Sequence, residues 1–325
     1  MAIKVGFVGT GGIAGTHLDT LCKIENVMIT ALCDIAFERA QEKAAKYGGK
    51  AYSDYRSMLD TEALDALFIC TPPMAHGPVE LAAIERKLPL FIEKPITRDL
   101  AMAEPILEAI AAAELLTLVA YKYRWDAHVK RARLMLADKT LGLVSGWFWT
   151  SMPGAPWWRA QEQSGGQMVE QTTHIVDMAR YLCGEVTHVA AFEGHQVMQR
   201  LHSDASAADA ASATLRFATG AVGSITNTYM LGAGGSSGLD VAAHDFRVEI
   251  IGGHLQWWSP EDSGEMENDA NGYVGEVEAF LKAVATGDRS EIYSDYADAY
   301  RTLAVTEAVN RAADRNGEVV EVGTL

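Results

Sequence analysis

Residues that can move or stabilise a proton occur at two places in this sequence. Lys94 stands in FIEKPIT, after an apolar strand pattern and before a proline that stiffens the chain. Glu170, His174 and Asp177 follow at spacings of four and three residues, so in a single helix they share one face. Negative charge favours the imidazolium and burial disfavours it, so a histidine beside carboxylates can be tuned as a general base. These side chains are candidates for proton transfer.

Both patterns also have ordinary structural explanations. A lysine at a strand end is commonly a solvated surface charge, and opposite charges on one helix face are commonly an ion-paired surface. For Lys94, the neighbouring Glu93 and Pro95 favour a rigid bend that aims the cation into a crevice. For the helix, the residues alone leave the two interpretations open.

A glycine-rich turn near the amino terminus predicts an anion site, where IKVGFVGTGGIAGTH joins an apolar strand to a helix. Gly9 permits the sharp turn, Gly11 lets the main chain approach a phosphate, and Ala14 lets the helix pack closely. Gly12 and Ile13 complete the turn, and the helix amino terminus faces the anion. We predict that this turn binds the pyrophosphate of a dinucleotide.

The end of the second strand pattern indicates which dinucleotide binds. The run VMITALC ends at Asp34, about 20 residues beyond the glycine turn, where a carboxylate can accept the adenosine ribose hydroxyls. Asp34 is followed by Ile35 rather than by a serine-arginine pair, so a 2′-phosphate would meet a carboxylate. The sequence therefore predicts NAD rather than NADP. Arg39 lies one helical turn later and is placed either to reverse this preference or to pair with Glu42.

The first 120 residues alternate helical patterns with short apolar strand patterns, near 3–8, 27–33, 66–70, 89–92 and 116–120. This alternation predicts an α/β Rossmann domain with a doubly wound parallel sheet over residues 1–122. Ligands of such sheets bind at the carboxyl ends of the strands. Candidate cofactor-binding residues at those ends are Thr71, Pro73, Glu93 and Lys94. His76 is expected either to line the pocket or to cap the next helix.

Residues 123–325 have a different pattern, which predicts an α+β domain with a large, mostly antiparallel open sheet. Strand patterns lie near 143–150, 186–198, 208–217, 221–230, 244–251 and 253–258. A single helix is predicted over 165–182. Two more, near 274–286 and 294–314, are candidates to pack back on the first domain. The Gly-rich stretch 231–238 is predicted to be a mobile loop, and the acidic stretch 261–269 a solvated one.

Composition excludes several function classes. Residues 1–122 carry 12 basic and 16 acidic side chains, and the remainder carries 15 and 27, so nucleic acid and anionic membranes are not expected partners. No apolar run approaches the ~20 residues that span a bilayer, and no leader pattern precedes the first strand, so we expect a cytoplasmic protein. The four cysteines lack metal-ligand spacing and are expected to be buried thiols; no metal site is predicted.

Five ordered motifs make the chain resemble the family of glucose-fructose oxidoreductase, inositol dehydrogenase and MocA proteins. They are GTGGIAGTH at 9–17, CDIAFERA at 33–40, TPPMAH at 71–76, EKP at 93–95 and SGGQMVEQTTHIVDMARYLCG at 164–184. The resemblance covers nearly the whole length. It implies a Rossmann domain joined to an open-sheet domain, NAD or NADP as cofactor, and oxidation or reduction of sugars, cyclitols and related polyols.

The resemblance also implies roles for individual residues. Lys94 corresponds to the lysine of the family's Glu-Lys-Pro motif, and His174 to the histidine of its second motif. Many relatives have aspartate where this chain has Glu170, which is longer by one methylene, so the reaction class carries over and a relative's substrate does not. We expect His174 to take the hydroxyl proton, Lys94 to stabilise the alkoxide and Glu170 to hold the imidazole. This expectation requires Lys94 and His174, from separate domains, to reach one bound molecule.

Further substrate contacts are expected from cationic and aromatic side chains beside the motifs: Arg124, Trp125, Trp158 and Arg159. Indole faces suit the C–H patches of sugars, although the tryptophans are equally suited to core or subunit contacts.

Two other functions remain open at this point. One is a glycosidase that retains NAD and uses transient oxidation, which net NADH release would distinguish. The other is a non-catalytic NAD-bound sensor or binding protein, against which the joint presence of Lys94, Glu170 and His174 argues. A homodimer or homotetramer is also expected, because an exposed apolar sheet face is commonly covered by another subunit.

Overall fold

A computed structural model describes residues 2–323 and places the strands in two separate sheets. The strands are β1 (Ile3–Val8), β2 (Val27–Cys33), β3 (Lys50–Tyr52), β4 (Ala66–Ile69), β5 (Leu90–Ile92), β6 (Thr117–Val119), β7 (Leu141–Trp149), β8 (Val186–Gly194), β9 (Ala210–Phe217), β10 (Val222–Thr228), β11 (Ser236–Ala243), β12 (Phe246–Ile251), β13 (His254–Trp258), β14 (Ser263–Glu267) and β15 (Val320–Glu321). The helices are α1 (Gly12–Leu21), α2 (Phe37–Tyr47), α3 (Tyr55–Thr61), α4 (Pro78–Ile84), α5 (Leu100–Ala113), α6 (Ala127–Leu136), α7 (Gln161–Ser164), α8 (Gly166–Glu170), α9 (Thr173–Cys183), α10 (Met198–Leu201), α11 (Gly272–Thr286) and α12 (Tyr296–Asp314). Short 3₁₀ segments lie at Pro73–Ala75, Lys122–Trp125 and Pro156–Arg159.

These elements form two compact units. Unit 1 comprises Met1–Thr97, Ala101–Lys122 and Asn271–Ala299, and unit 2 comprises Arg98–Leu100, Tyr123–Ala270 and Tyr300–Leu325. Residues 271–299, part of the predicted second domain, thus belong to unit 1. Positions 1, 324 and 325 of the predicted domains lie outside the described residues.

Unit 1 contains a six-stranded parallel sheet in the order β3-β2-β1-β4-β5-β6. The strand order reverses on either side of β1, and this reversal opens a crevice at the carboxyl ends of β1 and β4. The predicted doubly wound Rossmann fold is confirmed. The short edge strand β3 escaped prediction because its three residues are only partly buried and show no apolar run.

The core of unit 1 contains a stack of aromatic rings from three neighbouring strands. Ring centroids lie 4.7 Å apart for Phe7 and Phe68 and 4.6 Å apart for Phe68 and Phe91. Phe280 on α11 packs edge-on against Phe68 and Phe91, at 5.6 and 5.7 Å. Edge-to-face and offset-stacked rings are the favoured geometries for aromatic pairs. These contacts make α11, distant in sequence, an integral part of unit 1.

Unit 2 contains a nine-stranded sheet in the order β14-β13-β12-β11-β7-β10-β9-β8-β15. The β7–β10 pair is parallel and the other pairs are antiparallel, which confirms the predicted open sheet and its α+β class. Apolar residues of α6, α9 and α12 join the buried core of this sheet. A Cβ at Gly146 of β7 would lie 2.7 Å from Ile175 of α9, so this glycine lets α9 pack closely on the sheet.

Each of the two predicted loops of unit 2 contains strand residues, and the rest of each stretch lies outside the strands. The stretch predicted as a mobile loop, 231–238, runs into β11, where a Cβ at Gly238 would lie 2.5 Å from the Ile250 carbonyl oxygen. Gly238 therefore serves close strand packing, whereas a Cβ at Gly232 or Gly234, which precede the strand, would meet no atom within 4 Å. The acidic stretch contains β14, in which exposed residues alternate with half-buried ones. β14 lies at the edge of the sheet, where outward carboxylates discourage pairing with another chain.

Burial separates the four cysteines into two groups. Cys33, Cys70 and Cys183 are buried as predicted, and burial raises the pKa of the Cys33 and Cys183 thiols to about 12. Cys22 is exposed, so the expectation of four buried thiols is wrong there, because Cys22 follows the last turn of α1. Within residues 2–323, no grouping of histidine, cysteine and carboxylate side chains is suited to a metal ion.

None of the helices in the described part of the chain combines the length and apolarity needed to cross a membrane.

The turn after β1 requires glycine at one position and tolerates a side chain at another. Gly9 has φ +86°, and a Cβ there would lie 2.4 Å from the Cys70 carbonyl oxygen, whereas a Cβ at Gly12 would meet no atom within 4 Å. We expect Gly9→Ala to lower the free energy of unfolding by more than about 2 kcal/mol, and Gly12→Ala to keep or slightly raise it. Urea denaturation without nucleotide measures both. Equal midpoints for the two variants would contradict this account of the turn.

Candidate active site

The turn between β1 and α1 leaves the amino end of α1 open to an anion. Gly11 precedes the helix without a side-chain cap, and a Cβ at Gly11 or Gly12 would meet no atom within 4 Å. The first amides of a helix have no partner within it, and the helix dipole is positive at that end. Ile13 is half-buried and Ala14 fully buried, so the turn is held in place while the glycines stay accessible. This geometry fits the pyrophosphate of a dinucleotide.

Asp34 is tied to the glycine turn at the carboxyl end of β2. Its Oδ2 accepts hydrogen bonds from the Thr10 amide at 2.9 Å and the Thr10 hydroxyl at 3.0 Å, and its Oδ1 accepts from the Ala36 amide at 2.9 Å. Arg39 lies 3.2 Å from Oδ1, with 55 % of its side chain exposed. The structure thus brings together the glycine turn, Asp34 and Arg39, which the sequence assigned to the nucleotide. Thr10 is a member of this cluster that sequence reasoning missed.

The segment after β4 is held in place by side-chain hydrogen bonds. Pro73 is buried, and both ring nitrogens of His76 are engaged: Nδ1 lies 2.5 Å from Glu80 Oε1 and Nε2 lies 3.1 Å from the Thr71 carbonyl oxygen. Glu80 also accepts from the Gly77 amide, so His76 is part of the cap of α4. The Thr71 hydroxyl is buried and has no hydrogen-bond partner among residues 2–323. An orphaned hydroxyl at the carboxyl end of a Rossmann strand fits a missing polar ligand.

A buried histidine fixes the turn that carries Lys94. His17 on α1 is fully buried, and its Nε2 lies 2.6 Å from Oε1 of Glu93. Oε2 of Glu93 accepts from the Lys94 amide at 3.1 Å, and the Lys94–Pro95 peptide is cis. Glu93 therefore links α1 to the half-buried Lys94. Sequence reasoning missed His17, although it closes the GTGGIAGTH motif.

The helix predicted over 165–182 is broken. The structure has α8 and α9 instead, and the Thr172 amide donates to the Gln167 carbonyl at 2.9 Å, a bond one residue longer than the α-helical one. The Thr172 hydroxyl accepts from Asn227 Nδ2 at 2.9 Å, which holds the break against β10. Glu170 and His174 thus lie on different helices. Although they are four residues apart in sequence, they do not have the relative position that one continuous helix would give them. Extra-residue turns of this kind recur at functional sites.

The surroundings of the Glu170–His174 segment combine aromatic rings and buried oxygen atoms. The Tyr123 ring centroid lies 5.3 Å from that of His174, which is half-buried. Glu170 is buried, and with burial as the larger cause its carboxylate helps raise the pKa of Tyr229 well above the usual range. The buried Tyr229 hydroxyl has no hydrogen-bond partner within the described part of the chain. No spacing in the sequence pointed to Tyr229.

The predicted substrate-binding cation Arg124 is engaged within unit 2. Its side chain is 4 % exposed and donates from Nε and Nη2 to the two oxygens of Asp177, at 2.8 and 2.6 Å. Trp125, next in the chain, is also buried. A direct substrate contact through Arg124 stays a prediction, and two of its donors are already committed to a carboxylate.

The segment that contains Trp158 and Arg159 is anchored to a neighbouring loop. Trp157 and Trp158 are half-buried and stack with centroids 4.7 Å apart. Arg159 donates from Nε and Nη2 to Asp204 at 2.9 and 2.8 Å, which lowers the pKa of that carboxyl. The Arg159 carbonyl accepts from the amides of residues 206 and 207. The stacked indoles form a partly exposed apolar surface.

The predicted catalytic residues divide between the two units. Lys94 lies in unit 1 with the glycine turn and Asp34, and Glu170 and His174 lie in unit 2. Each unit therefore contributes its own prearranged set of polar side chains.

Comparison with known proteins shows where this chain belongs. Residues 3–121 match the family described as oxidoreductases with an NAD-binding Rossmann fold, GFO/IDH/MocA, and residues 129–254 match the C-terminal domain of the same family. Over 253 residues the chain is 30 % identical to the uncharacterized oxidoreductase YrbE of Bacillus subtilis, covering 77 % of this chain and 71 % of that protein.

Two further relatives extend the match over most of the length. Over 307 residues the chain is 25 % identical to myo-inositol 2-dehydrogenase of Thermotoga maritima, covering 88 % of this chain and 89 % of that protein. The fold is shared with a solved structure of levoglucosan dehydrogenase in complex with NADH and levoglucosan, at TM-score 0.89 and 20 % identity, with all of both chains covered. The chain is thus a member of the GFO/IDH/MocA family of oxidoreductases, with an NAD-binding Rossmann fold over residues 3–121.

Proposed function

We propose that this protein is an NAD-dependent dehydrogenase that transfers a hydride between the cofactor and a hydroxyl-bearing carbon of a sugar, cyclitol or related polyol. The observation that carries the proposal is the Asp34 carboxylate, held by Thr10 and Ala36 at the end of β2 beside an open helix amino terminus. That arrangement suits an adenosine ribose and a pyrophosphate. The substrate class is supported by the relatives named as myo-inositol 2-dehydrogenase and levoglucosan dehydrogenase.

The residues of unit 1 account for binding of the dinucleotide. The glycine turn would hold the pyrophosphate, and Asp34 would bind the adenosine ribose. Thr71 and Pro73 would contact the rest of the dinucleotide. When bound, NAD supplies the hydride acceptor or donor. Glu93 contributes by holding the Lys94 turn, because one of its oxygens meets His17 and the other meets the Lys94 amide.

Lys94, His174 and Glu170 are proposed to act on the same substrate hydroxyl. His174 takes the hydroxyl proton during oxidation, and the Lys94 ammonium stabilises the negative charge that develops on oxygen. Glu170 orients the imidazole or binds a neighbouring hydroxyl. Because the break after α8 displaces Glu170 from the regular helical spacing, its reach is set by this backbone rather than by an ordinary helix turn.

Substrate specificity is proposed to come from the side chains around the Glu170–His174 segment. Trp158 stacks on Trp157 and offers an apolar face for sugar C–H groups. Arg159 is held by Asp204, and Trp125 is buried, so we expect these two residues to hold their segments in place more than to contact the substrate. The substrate is proposed to be a small polyol, with the particular hydroxyl selected by the placement of Glu170.

Removing either proton-handling side chain should lower turnover and spare cofactor binding. We expect Lys94→Met and His174→Asn each to reduce kcat by about 10²- to 10⁴-fold, with the Kd for NADH nearly unchanged. The exposed residues Lys23 and His244 provide matched controls, Lys23→Met and His244→Asn, which should behave like the parent. NADH absorbance gives the rates and NADH fluorescence the affinity.

Turnover within about threefold of the parent in both active-site variants would exclude these roles. A parent protein that releases no NADH with inositols, aldoses, anhydrosugars or amino sugars would contradict the dehydrogenase itself. A glycosidic substrate that is cleaved without NADH release would indicate an enzyme that retains its cofactor.

Asp34 should enforce a preference for NAD over NADP. Its two oxygens are held in place by amide and hydroxyl donors, so a 2′-phosphate would approach a fixed negative charge. We expect Asp34→Ser to lower kcat/KM for NAD by roughly 10- to 100-fold, because a hydrogen bond to a charged group is lost. The ratio of kcat/KM for NAD to that for NADP should fall as well. The exposed Asp60→Ser is the control. Preferential use of NADP by the parent would refute the assignment.

The exposed face of the sheet in unit 2 is proposed to pair with a second copy of the chain, giving a homodimer or homotetramer. The pairing register places five exposed apolar side chains on one face: Leu143, Trp149, Phe192, Val222 and Ile251. Several exposed apolar side chains on one sheet face are typical of a subunit contact.

Light scattering on the eluting protein tests this assembly. We expect the parent to have the mass of two or four chains and Leu143→Asp to shift it toward the monomer, because a carboxylate would be buried in the contact. The control is Leu134→Asp, on α6, where the leucine is 72 % exposed. A monomeric parent, or equal masses for both variants, would overturn the proposal.

A further inference from the structure

A buried ion pair lies one helical turn beyond the proposed base. Arg124 donates to both oxygens of Asp177, and the two side chains are 4 % and 1 % exposed. Asp177 follows His174 by three residues on α9, so the two side chains lie on neighbouring positions of that helix. The bidentate geometry fixes both the place and the plane of the guanidinium.

The pair extends into α12 and a second arginine. The Thr302 hydroxyl donates to Asp177 Oδ1 at 3.0 Å and accepts from Nη1 of Arg180. Arg180 in turn donates from Nε and Nη2 to Glu185, at 2.9 and 2.8 Å. Asp177 and Arg180 are three residues apart, so α9 is held at two successive positions of one face.

Stability alone does not account for this arrangement. The attraction within a buried ion pair is largely offset by the cost of desolvating both charges, and apolar residues of similar volume commonly pack as well or better. The pair does, however, restrict how α9 can rotate and slide, because a bidentate contact tolerates little displacement. It also places a positive charge against the Asp177 carboxylate, three residues after His174 on α9.

We infer that Arg124 is a positioning residue for His174. It sets the rotation of α9, and it cancels the negative charge that Asp177 would otherwise present to the imidazole. This inference rests on the proposed function, in which His174 removes the hydroxyl proton. It assigns Arg124 to the support of the base rather than to the substrate.

Several titratable groups of unit 2 around α9 stay constant in the test. They include Tyr123, whose ring lies 5.3 Å from the imidazole, Glu170 at the end of α8, and Arg180 and Tyr181 on α9 itself. Because substitutions of Arg124 and Asp177 leave these groups in place, a change in the pH profile reports the Arg124–Asp177 pair.

The experiment compares Arg124→Met, Asp177→Asn and the double variant by kcat/KM against pH, with the polyol that the parent oxidises fastest. A base must be neutral to act, so the acid limb of the profile reports its protonation. Arg124→Met leaves a carboxylate near the imidazole and should move the acid limb up by about half a pH unit or more. Asp177→Asn leaves a guanidinium there and should move it down. The double variant should return toward the parent.

Two further variants separate positioning from other effects. Arg133→Met is the matched control, since the exposed Arg133 lies over the same Tyr181 ring as Arg124. The guanidinium carbon lies 4.1 Å from the ring centroid for Arg133 and 4.9 Å for Arg124. It should leave kcat and the pH profile unchanged. Arg124→Lys keeps the positive charge but loses the two parallel hydrogen bonds of the guanidinium to Asp177. We therefore expect kcat to fall about tenfold, with KM and the acid limb of the pH profile nearly unchanged. If Arg124→Met does not fold, Arg124→Lys and Asp177→Asn together decide whether Arg124 positions His174.

The inference is overturned if the acid limbs of the single variants move in the same direction or stay in place while His174→Asn lowers kcat by the expected ~10²- to 10⁴-fold. It is equally overturned if Arg124→Met and Arg124→Lys raise KM alone, because Arg124 would then bind substrate. Full turnover by His174→Asn would instead remove the proposed base, and both proposals would fall together.

Discussion

A charge buried in a protein needs a partner, and in this chain such pairs join segments that are distant in sequence. Asp34 meets the Thr10 turn, Glu93 meets His17, and Arg124 meets Asp177. Each pair lies within one unit and holds a motif residue against a second element. The cost of leaving any of these groups unsatisfied is large, so the backbone around each is constrained to a narrow set of positions.

This constraint suits an enzyme that contributes geometry while its cofactor contributes redox chemistry. Groups that stabilise developing charge are effective when they need no reorganisation during the reaction. Around Lys94, the carboxylate of Glu93 bridges α1 and the Lys94 amide, so α1 and the lysine turn form one connected structure. On α9, the helix that carries His174 is held by contacts to α12 and to the 3₁₀ segment before α6.

The features that sequence predicted well are those with local physical causes. The glycine turn, the parallel sheet and most strands of the second sheet follow from backbone sterics and apolar periodicity over a few residues. The break at Thr172 depends on a hydrogen bond from Asn227, 55 residues away, and β11 depends on close packing at Gly238. The partners of Arg124 and Glu93 are 53 and 76 residues distant. Side-chain pairing over such separations leaves no periodic signal, so the sequence did not predict that Arg124 pairs with Asp177.

The most direct test of the account follows the hydrogen that leaves the substrate carbon. A polyol that the protein oxidises is supplied with deuterium at the reacting carbon, and the released NADH is examined by mass spectrometry and NMR. We expect one deuterium per turnover at C4 of the nicotinamide ring and slower turnover of the labelled substrate. Oxidised product accompanied by unlabelled NADH, or label that returns to the product without NADH release, would contradict it.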